Sequence, residues 1–174
     1  MKWVLIGVGA LVAVVALMAL VGAFVPRDHR AISTITLRQP PDSVWRVIRD
    51  LGNIGAWWPE WKESVRLPDK DGHEAWRQKV GGFDMPLLVL ESQPPGRLVT
   101  RIDSPPGAAF GGTWTYELAP DSGGTRISVT EAGWISNPIF RFTSRFLFGY
   151  YGSLDGYLKA LGTRFGETVT PAHS

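Results

Sequence analysis

The sequence predicts an α+β domain, in which an antiparallel sheet packs on a long C-terminal helix, preceded by one N-terminal transmembrane helix. Three observations predict it. The 23 residues from Trp3 to Val25 carry no charge. Short segments rich in β-branched and aromatic residues, separated by turn residues, fill the region from Val65 to Ala132. Apolar residues then recur at three- and four-residue steps between Asn137 and Glu167.

Composition narrows the function classes. Hydrophobic residues make up 44% and charged residues 20% of the chain, which is typical of an ordered globular domain. From Ala31 onward basic and acidic residues are equal in number. Because nucleic-acid binding needs a basic face that neutralises phosphates, we exclude that class. The chain has no Cys, which excludes disulfides, thiolate metal sites and cysteine nucleophiles.

The charge-free N-terminal segment is long enough to cross a bilayer. At ~1.5 Å per residue, a helix over residues 3–25 spans a hydrocarbon core of ~30 Å. We therefore predict a single-pass anchor within an N-terminal unit of residues 1–30. The alternative is a signal peptide cleaved near Val21-Gly22-Ala23, which would give a secreted protein. The flanking positive charges nearly balance, and the very short N-terminal tail favours a domain on the extracytoplasmic side.

The first elements of the domain follow directly. Alternating β-branched residues from Ile32 to Leu37 predict a strand that ends at Pro40-Pro41. Apolar residues between Val44 and Leu51 then recur at helical spacing and predict a short amphipathic helix. Gly52-Asn53 ends that helix, and the segment up to Trp61 is a second short helix or turn with partly buried Trp side chains.

Six more strands are separated by Gly-, Pro- and Asp-rich turns, and this close spacing favours an antiparallel meander. They are Val65–Leu67, Glu74–Val80, Met85–Ser92, Arg97–Ile102, Gly112–Leu118 and Thr125–Ala132. Since side chains alternate along a strand, Trp114 and Tyr116 share one face, and Glu131 shares one with Ile127 and Val129. One face of the sheet is therefore expected to be apolar.

The C-terminal pattern predicts one long helix over residues 137–167. Phe142, Phe146 and Tyr150 lie at four-residue intervals, so we expect them to project toward the sheet. Glycines within the helix each cost ~1 kcal/mol relative to Ala, so a kink or close backbone approach is expected near them. Residues 169–174 are expected to form a flexible tail.

The order strand, two short helices, six strands and long helix is that of the helix-grip fold. Four segments resemble the START-like (SRPBCC) superfamily, specifically its polyketide cyclase/dehydrase and lipid-transport type. They are Pro40-Pro41-Asp42-Ser43-Val44-Trp45, Trp58-Pro59-Glu60-Trp61, Gly112-Thr113-Trp114-Thr115-Tyr116-Glu117-Leu118 and Gly124-Thr125-Arg126-Ile127-Ser128-Val129-Thr130-Glu131. The resemblance implies a START-like ligand-binding domain over residues 31–168, with a seven-stranded antiparallel sheet around the long helix and a cavity for a hydrophobic ligand. It implies no reaction, because the superfamily includes cyclases, lipid carriers and regulators.

A search for catalytic chemistry yields no catalytic residue, metal site or cofactor. His29 lies beside the apolar span, His73 follows a turn and His173 lies in the tail, so no histidine cluster suggests a metal. Glu131 has two interpretations. Either it meets a ligand's polar end inside the domain, or it lies at the end of the strand, where it is solvated or paired with an arginine such as Arg101.

The excess of large aromatic residues favours a pocket, although each ring alone could be ordinary core. The predicted ligand-binding residues are Trp76, Leu88, Trp114, Tyr116, Glu131, Phe142, Phe146 and Tyr150. The leading hypothesis is membrane-anchored binding or transport of a hydrophobic small molecule or lipid, without a cofactor. One alternative is a polyketide cyclase/aromatase-like enzyme without metal, using Glu131, Arg101 and Tyr116. The other is a structural or regulatory module of a membrane complex. Ligand identity, protein partners and oligomeric state stay open.

Overall fold

The computed structural model describes residues 1–174 and contains one antiparallel sheet of eight strands, in the order β2-β3-β4-β5-β6-β7-β1-β8. A 3₁₀ turn spans Leu51–Ala56 and a π-helical turn spans Ser144–Phe148. The helices are α1 (Lys2–Phe24), α2 (Pro41–Arg49), α3 (Pro138–Thr143) and α4 (Gly152–Arg164). The strands are β1 (Asp28–Leu37), β2 (Trp61–Lys70), β3 (His73–Val80), β4 (Phe83–Gln93), β5 (Arg97–Ile102), β6 (Phe110–Asp121), β7 (Gly124–Ile135) and β8 (Ala172–His173).

The predicted meander is confirmed, because β2 to β7 are neighbours in sequence order and every pair is antiparallel. The expected count of seven strands is corrected to eight, since Ala172 pairs with Thr34 at the edge of β1. His173 is held there by its Nε2, 3.0 Å from both carboxylate oxygens of Asp155, and by stacking on Tyr151 with ring centroids 3.9 Å apart. The end of the segment predicted to be a flexible tail is therefore docked on the domain.

The single long C-terminal helix is also corrected. The chain forms the short helix α3, then the π-helical turn, and starts again as α4. Gly149 ends the π-helical turn with φ 75°, a left-handed conformation that glycine adopts at little cost. Because the apolar residues continue at helical spacing on both sides of Gly149, the sequence pattern does not reveal that α3 and α4 are separate.

The core lies between one face of the sheet, called here the inner face, and the helices that cover it. Helix α4 packs on β1, and α2 packs on β6 and β7. Apolar spacing puts Leu154, Leu158 and Leu161 on one side of α4, and all three are completely buried. Ser33 on β1 donates a hydrogen bond of 2.7 Å to Asp155, which fixes α4 against the strand.

Helix α1 stands apart from this core. Its most apolar window has a mean hydropathy of 3.0 and no buried residue, so by length and composition it could cross a membrane or serve as a signal sequence. Its last two turns meet the domain, since residues 18, 19, 21 and 22 are half-buried or buried where α3 packs on it. A Cβ on Gly22 would come within 1.9 Å of the Pro138 carbonyl oxygen, so glycine allows α3 to pack there. Arg141 of α3 donates a 2.7 Å hydrogen bond to the Val25 carbonyl oxygen.

The junction between α1 and the sheet is short. Residues 25–27 alone separate the end of α1 from the start of β1. Strand β1 begins at Asp28, four residues before the predicted start at Ile32, so the predicted boundary at residue 30 cuts through the strand. This difference matters because the additional residues include His29.

Candidate functional site

The register of the sheet aligns a row of residues across the inner face. Directly paired residues in antiparallel strands point to the same face, so Ala31, Glu131, Trp114 and Thr100 are consecutive neighbours across four strands. Glu131 thus lies on the inner face beside Trp114, as alternation along β7 predicts. Arg101 is exposed and points to the opposite face, so it does not pair with Glu131.

Aromatic rings fill the inner face beneath α4. Tyr157 of α4 is buried at the centre. Its ring centroid lies 5.3 Å from that of Trp57, 5.2 Å from Trp58, 5.8 Å from Trp114 and 5.5 Å from Tyr116. These separations are those of packed aromatic pairs. In this part of the domain Trp114 and Tyr116 therefore contribute to a packed cluster instead of the cage around a ligand that their sequence pattern predicts.

A histidine and a carboxylate meet where the inner face approaches α1. Nε2 of His29 lies 3.1 Å from Oε1 of Glu131, and the two side chains are 9% and 21% exposed. The imidazole stacks on Tyr150, with ring centroids 4.4 Å apart and an interplanar angle of 11°. Nδ1 of His29 is buried and has no hydrogen-bond partner. The pair is thus fixed on one side and has an unused polar atom on the other.

Glycine makes room for this histidine. Gly133 of β7 lies directly opposite His29 in the register of β1 and β7. A Cβ at position 133 would lie 2.7 Å from Cε1 of His29 and 2.8 Å from Nε2, which is too close for two unbonded atoms. The imidazole therefore occupies the space that a side chain at 133 would need.

Two buried tyrosines, Tyr116 and Tyr157, contact Trp114, which is paired with Glu131 on the neighbouring strand. Burial raises the pKa of the Tyr116 phenol, and the negative charge of Glu131 raises it further. The pKa of Tyr157 is also raised, first by burial and then by Tyr116. Both phenols stay protonated at neutral pH, and the hydrogen-bond partner of Tyr116 is Thr100.

The predicted ligand-binding residues fall into two groups. Trp76, Trp114, Tyr116 and Glu131 lie on the inner face. Tyr150 reaches the same region through its contact with His29.

The other three do not face that interior. Leu88 is buried on the opposite face of the sheet, since it pairs with Ala75 while Leu87 pairs with Trp76. Phe142 and Phe146 contact each other, with ring centroids 5.1 Å apart, on the segment that runs past α1. Phe146 is 56% exposed, so the expected projection of these two rings toward the sheet is corrected. The cause is the break at Gly149, which separates this segment from α4.

His29 and Tyr157 were missed as candidate residues. His29 and Glu131 are 102 positions apart, so no local motif signals the pair. Alternation along β1 offered the one available clue, because His29 shares a face with Ala31, Ser33, Ile35 and Leu37. Because the predicted strand begins at Ile32, it does not include His29.

Charged side chains fix the position of Trp76, which lies on β3, on the part of the inner face farthest from β1. Its indole Nε1 donates 2.7 Å to Glu74, and Arg49 of α2 also donates to Glu74. Burial raises the pKa of Glu74, but hydrogen bonds from Arg49 and Trp76 outweigh it, and the net pKa is below the usual value. Glu74 is therefore ionised at neutral pH and fixes both neighbours.

A hollow of about 390 Å³ lies at the end of the sheet near α1 and is shared by both faces. Ile102 and Gly112 line it together with Arg101, Asp103, Thr113 and Trp134. Its walls combine charged, polar and apolar side chains, and no group of His, Asp, Glu or Cys in the structure has an arrangement that could hold a metal ion.

Comparison with known proteins agrees with this architecture. A model of the polyketide cyclase/dehydrase and lipid transport family matches residues 28–153. No protein with curated annotation matches the chain significantly. Among solved structures, a START superfamily protein from Mycobacterium smegmatis has a TM-score of 0.60 at 16% identity, over 78% of this chain and 97% of that chain. A protein from Mesorhizobium loti has a TM-score of 0.62 at 13% identity, over 79% and 97%.

The di-domain ARO/CYC protein StfQ, from the steffimycin biosynthetic pathway, has a TM-score of 0.60 at 12% identity and is matched over 80% of this chain. The present chain spans about half the length of StfQ, 52%. At these identities the structural likeness establishes the START-like fold alone. Because the family model covers most of the chain, including β1 to β7, the chain belongs to the polyketide cyclase/dehydrase and lipid transport family.

Proposed function

We propose that the protein binds a hydrophobic small molecule or lipid on the inner face, at the end near α1, and that α1 anchors the domain in a membrane. The observation that carries the proposal is Nδ1 of His29, which is buried and unpaired. A buried polar atom without a partner costs ~1–3 kcal/mol. A ligand that hydrogen-bonds to Nδ1 recovers that cost.

The protonation state of His29 determines which hydrogen-bonding group of a ligand can pair with Nδ1. When Nε2 carries the proton shared with Glu131, Nδ1 is an acceptor, and when the ring is doubly protonated, Nδ1 is a donor. A hydroxyl or protonated carboxyl group can satisfy either state. The expected ligand is therefore an apolar molecule with one oxygen-bearing polar end.

The surroundings of the pair suit the apolar part of such a ligand. Trp76, Ile102 and Trp114 are half-buried on the inner face, so part of their apolar surface is not covered by α4. Apolar walls with a few fixed polar groups are typical of small-molecule sites. Membership of a family named for cyclases, dehydrases and lipid transport also supports a hydrophobic ligand.

The test uses the full chain purified in detergent. Bound molecules are extracted and identified by mass spectrometry, and binding of the fluorescent fatty acid cis-parinaric acid is titrated. His29→Ala is expected to weaken binding about tenfold, which corresponds to losing one hydrogen bond of ~1.4 kcal/mol. His73→Ala, at the first residue of β3, is the matched control and should bind normally. Equal affinity of the two variants would refute the assignment of His29.

One observation favours a second function, a cyclase-like enzyme without metal. Glu131 orients the imidazole of His29 as a carboxylate orients a general base, and Tyr116, which stays protonated, lies on the same face of the sheet. Arg101, exposed on the opposite face, is not part of this arrangement. For this function, Glu131→Gln should lower turnover of a poly-β-keto substrate by at least about tenfold. Glu117→Gln, at an exposed position on β6, is the control.

A further inference from the structure

The end of the domain next to α1 carries most of its exposed apolar side chains. Because neighbouring strands run in opposite directions, the start of β1 lies at the same end as the starts of β4 and β6 and the ends of β5 and β7. Beyond α1, seven large apolar side chains are exposed, and only Val65 lies away from this end. The other six are Phe83, Phe110, Phe140, Phe146, Leu147 and Phe148.

Two of the most exposed of these residues, Leu147 and Phe148, follow the helix that packs on α1. Helix α3 packs on the last turn of α1 through Gly22 and Pro138, and the π-helical turn follows α3 without a break. Leu147 is 63% and Phe148 76% exposed, and Phe24 at the end of α1 is 84% exposed. Leu147 and Phe148 therefore follow directly on the helix that packs against the end of α1, and the rest of α1 is apolar and exposed.

The charges in this segment suit a phospholipid surface. No acidic residue occurs between Pro138 and Leu154, whereas Arg141 and Arg145 interrupt the phenylalanines. Arg145 is exposed, as are Arg27 and Arg30 beyond the end of α1. Aromatic and apolar side chains interspersed with arginines are typical of segments that lie at the boundary of headgroups and acyl chains.

We propose that residues 138–148, together with Phe83 and Phe110, insert into the boundary between headgroups and acyl chains of a phospholipid bilayer beside α1. The inference rests on the proposed anchoring by α1 and adds a second membrane contact that orients the domain. With this contact, the end of the inner face that holds His29 and Glu131 faces the lipid. The ligand then enters from the bilayer instead of from water.

The absence of Cys from the chain allows single labels to be introduced without other changes. A nitroxide is attached to Phe148→Cys in the full chain, in vesicles of phosphatidylcholine and phosphatidylglycerol. Its collisions with oxygen, which concentrates in lipid, and with a water-soluble nickel chelate are measured by electron paramagnetic resonance. Ser122→Cys, in the turn between β6 and β7 at the opposite end of the sheet, is the matched control. Leu11→Cys reports whether α1 is in the bilayer.

The ratio of oxygen to nickel collisions at position 148 is expected to exceed that at position 122 several-fold. The ratio at position 148 should fall when the protein is transferred from vesicles into an amphipathic polymer that keeps it in solution without lipid. A ratio at 148 equal to that at 122, with a high ratio at 11, would overturn the second contact and leave the anchor standing. A low ratio at 11 would instead show that α1 does not span, and the proposed anchoring would fail. Few collisions with either reagent at 148 would mean that protein covers the segment, which also overturns the bilayer assignment.

Discussion

The space opposite Gly133 gives a quantitative test of where His29 lies. Gly133→Ala introduces a Cβ 2.7 Å from the imidazole and must displace it. The displacement removes the hydrogen bond to Glu131, worth ~1.5–3 kcal/mol, and the stack on Tyr150, worth ~0.5–1.5 kcal/mol. We expect Gly133→Ala to destabilise the fold by about 2–4 kcal/mol.

A double-mutant cycle separates this effect from other costs at position 133. In a His29→Ala background the imidazole is absent, so Gly133→Ala should then add no more than about 0.5 kcal/mol, since only the Gly111 carbonyl oxygen, 3.3 Å away, has to move. Stability is measured by urea denaturation of the full chain in detergent, followed by near-ultraviolet circular dichroism. Gly152→Ala, whose Cβ meets nothing within 4 Å, is the control and should be neutral or stabilising. A coupling energy near zero would refute the placement of His29 against Gly133.

Three further predictions follow from the fold. A chain of residues 27–174 should be more stable than one of residues 31–174, by about 2–4 kcal/mol in urea denaturation, because the shorter chain loses the β1–β7 hydrogen bonds before Ala31. Glu74→Gln should destabilise at neutral pH, and the difference from wild type should shrink in acid. Because the pKa of Glu74 is lower in the folded state, its carboxylate stabilises the fold fully above the ordinary pKa of 4.5, and this stabilisation is lost as pH falls through the folded pKa. Urea denaturation at stepwise lower pH would detect the loss. Tyr157→Ala should cost about 3–5 kcal/mol, whereas Tyr157→Phe, which keeps the ring, should retain most of the stability measured by thermal unfolding.

Much of the sheet could be predicted from the sequence because its signals are local. Glycine, proline and aspartate punctuate the meander, and each predicted strand from Val65 to Ala132 overlaps an observed one. The C-terminal helix could not be predicted in full, since both halves share a helical pattern and the break lies at Gly149, whose positive φ leaves no mark on that pattern. The docked tail depends on contacts of His173 with α4, which no local pattern contains.

The site was harder to predict because it depends on register. Leu88 was placed on the wrong face, since consecutive residues 87, 88 and 89 are all buried and apolar, and burial alone does not tell which of them faces inward. Between Val89 and Glu91 the pairing with β5 also shifts by one residue, so alternation fails there. Glu131 was placed on the inner face because β7 is regular along its length. Its partner His29 was missed because the pairing of β1 with β7 brings together residues that are far apart in the sequence.

The short junction of residues 25–27 limits how the proposed anchored domain exchanges its ligand. Three extended residues reach ~10 Å, and contacts of α3 with the last turn of α1 restrict the junction further. If α1 anchors the domain as proposed, the domain is confined to the layer next to the membrane and cannot carry a molecule across an aqueous gap, as a protein on a long linker could. Any acceptor of the ligand has to come to that membrane, where encounters occur by lateral diffusion in two dimensions.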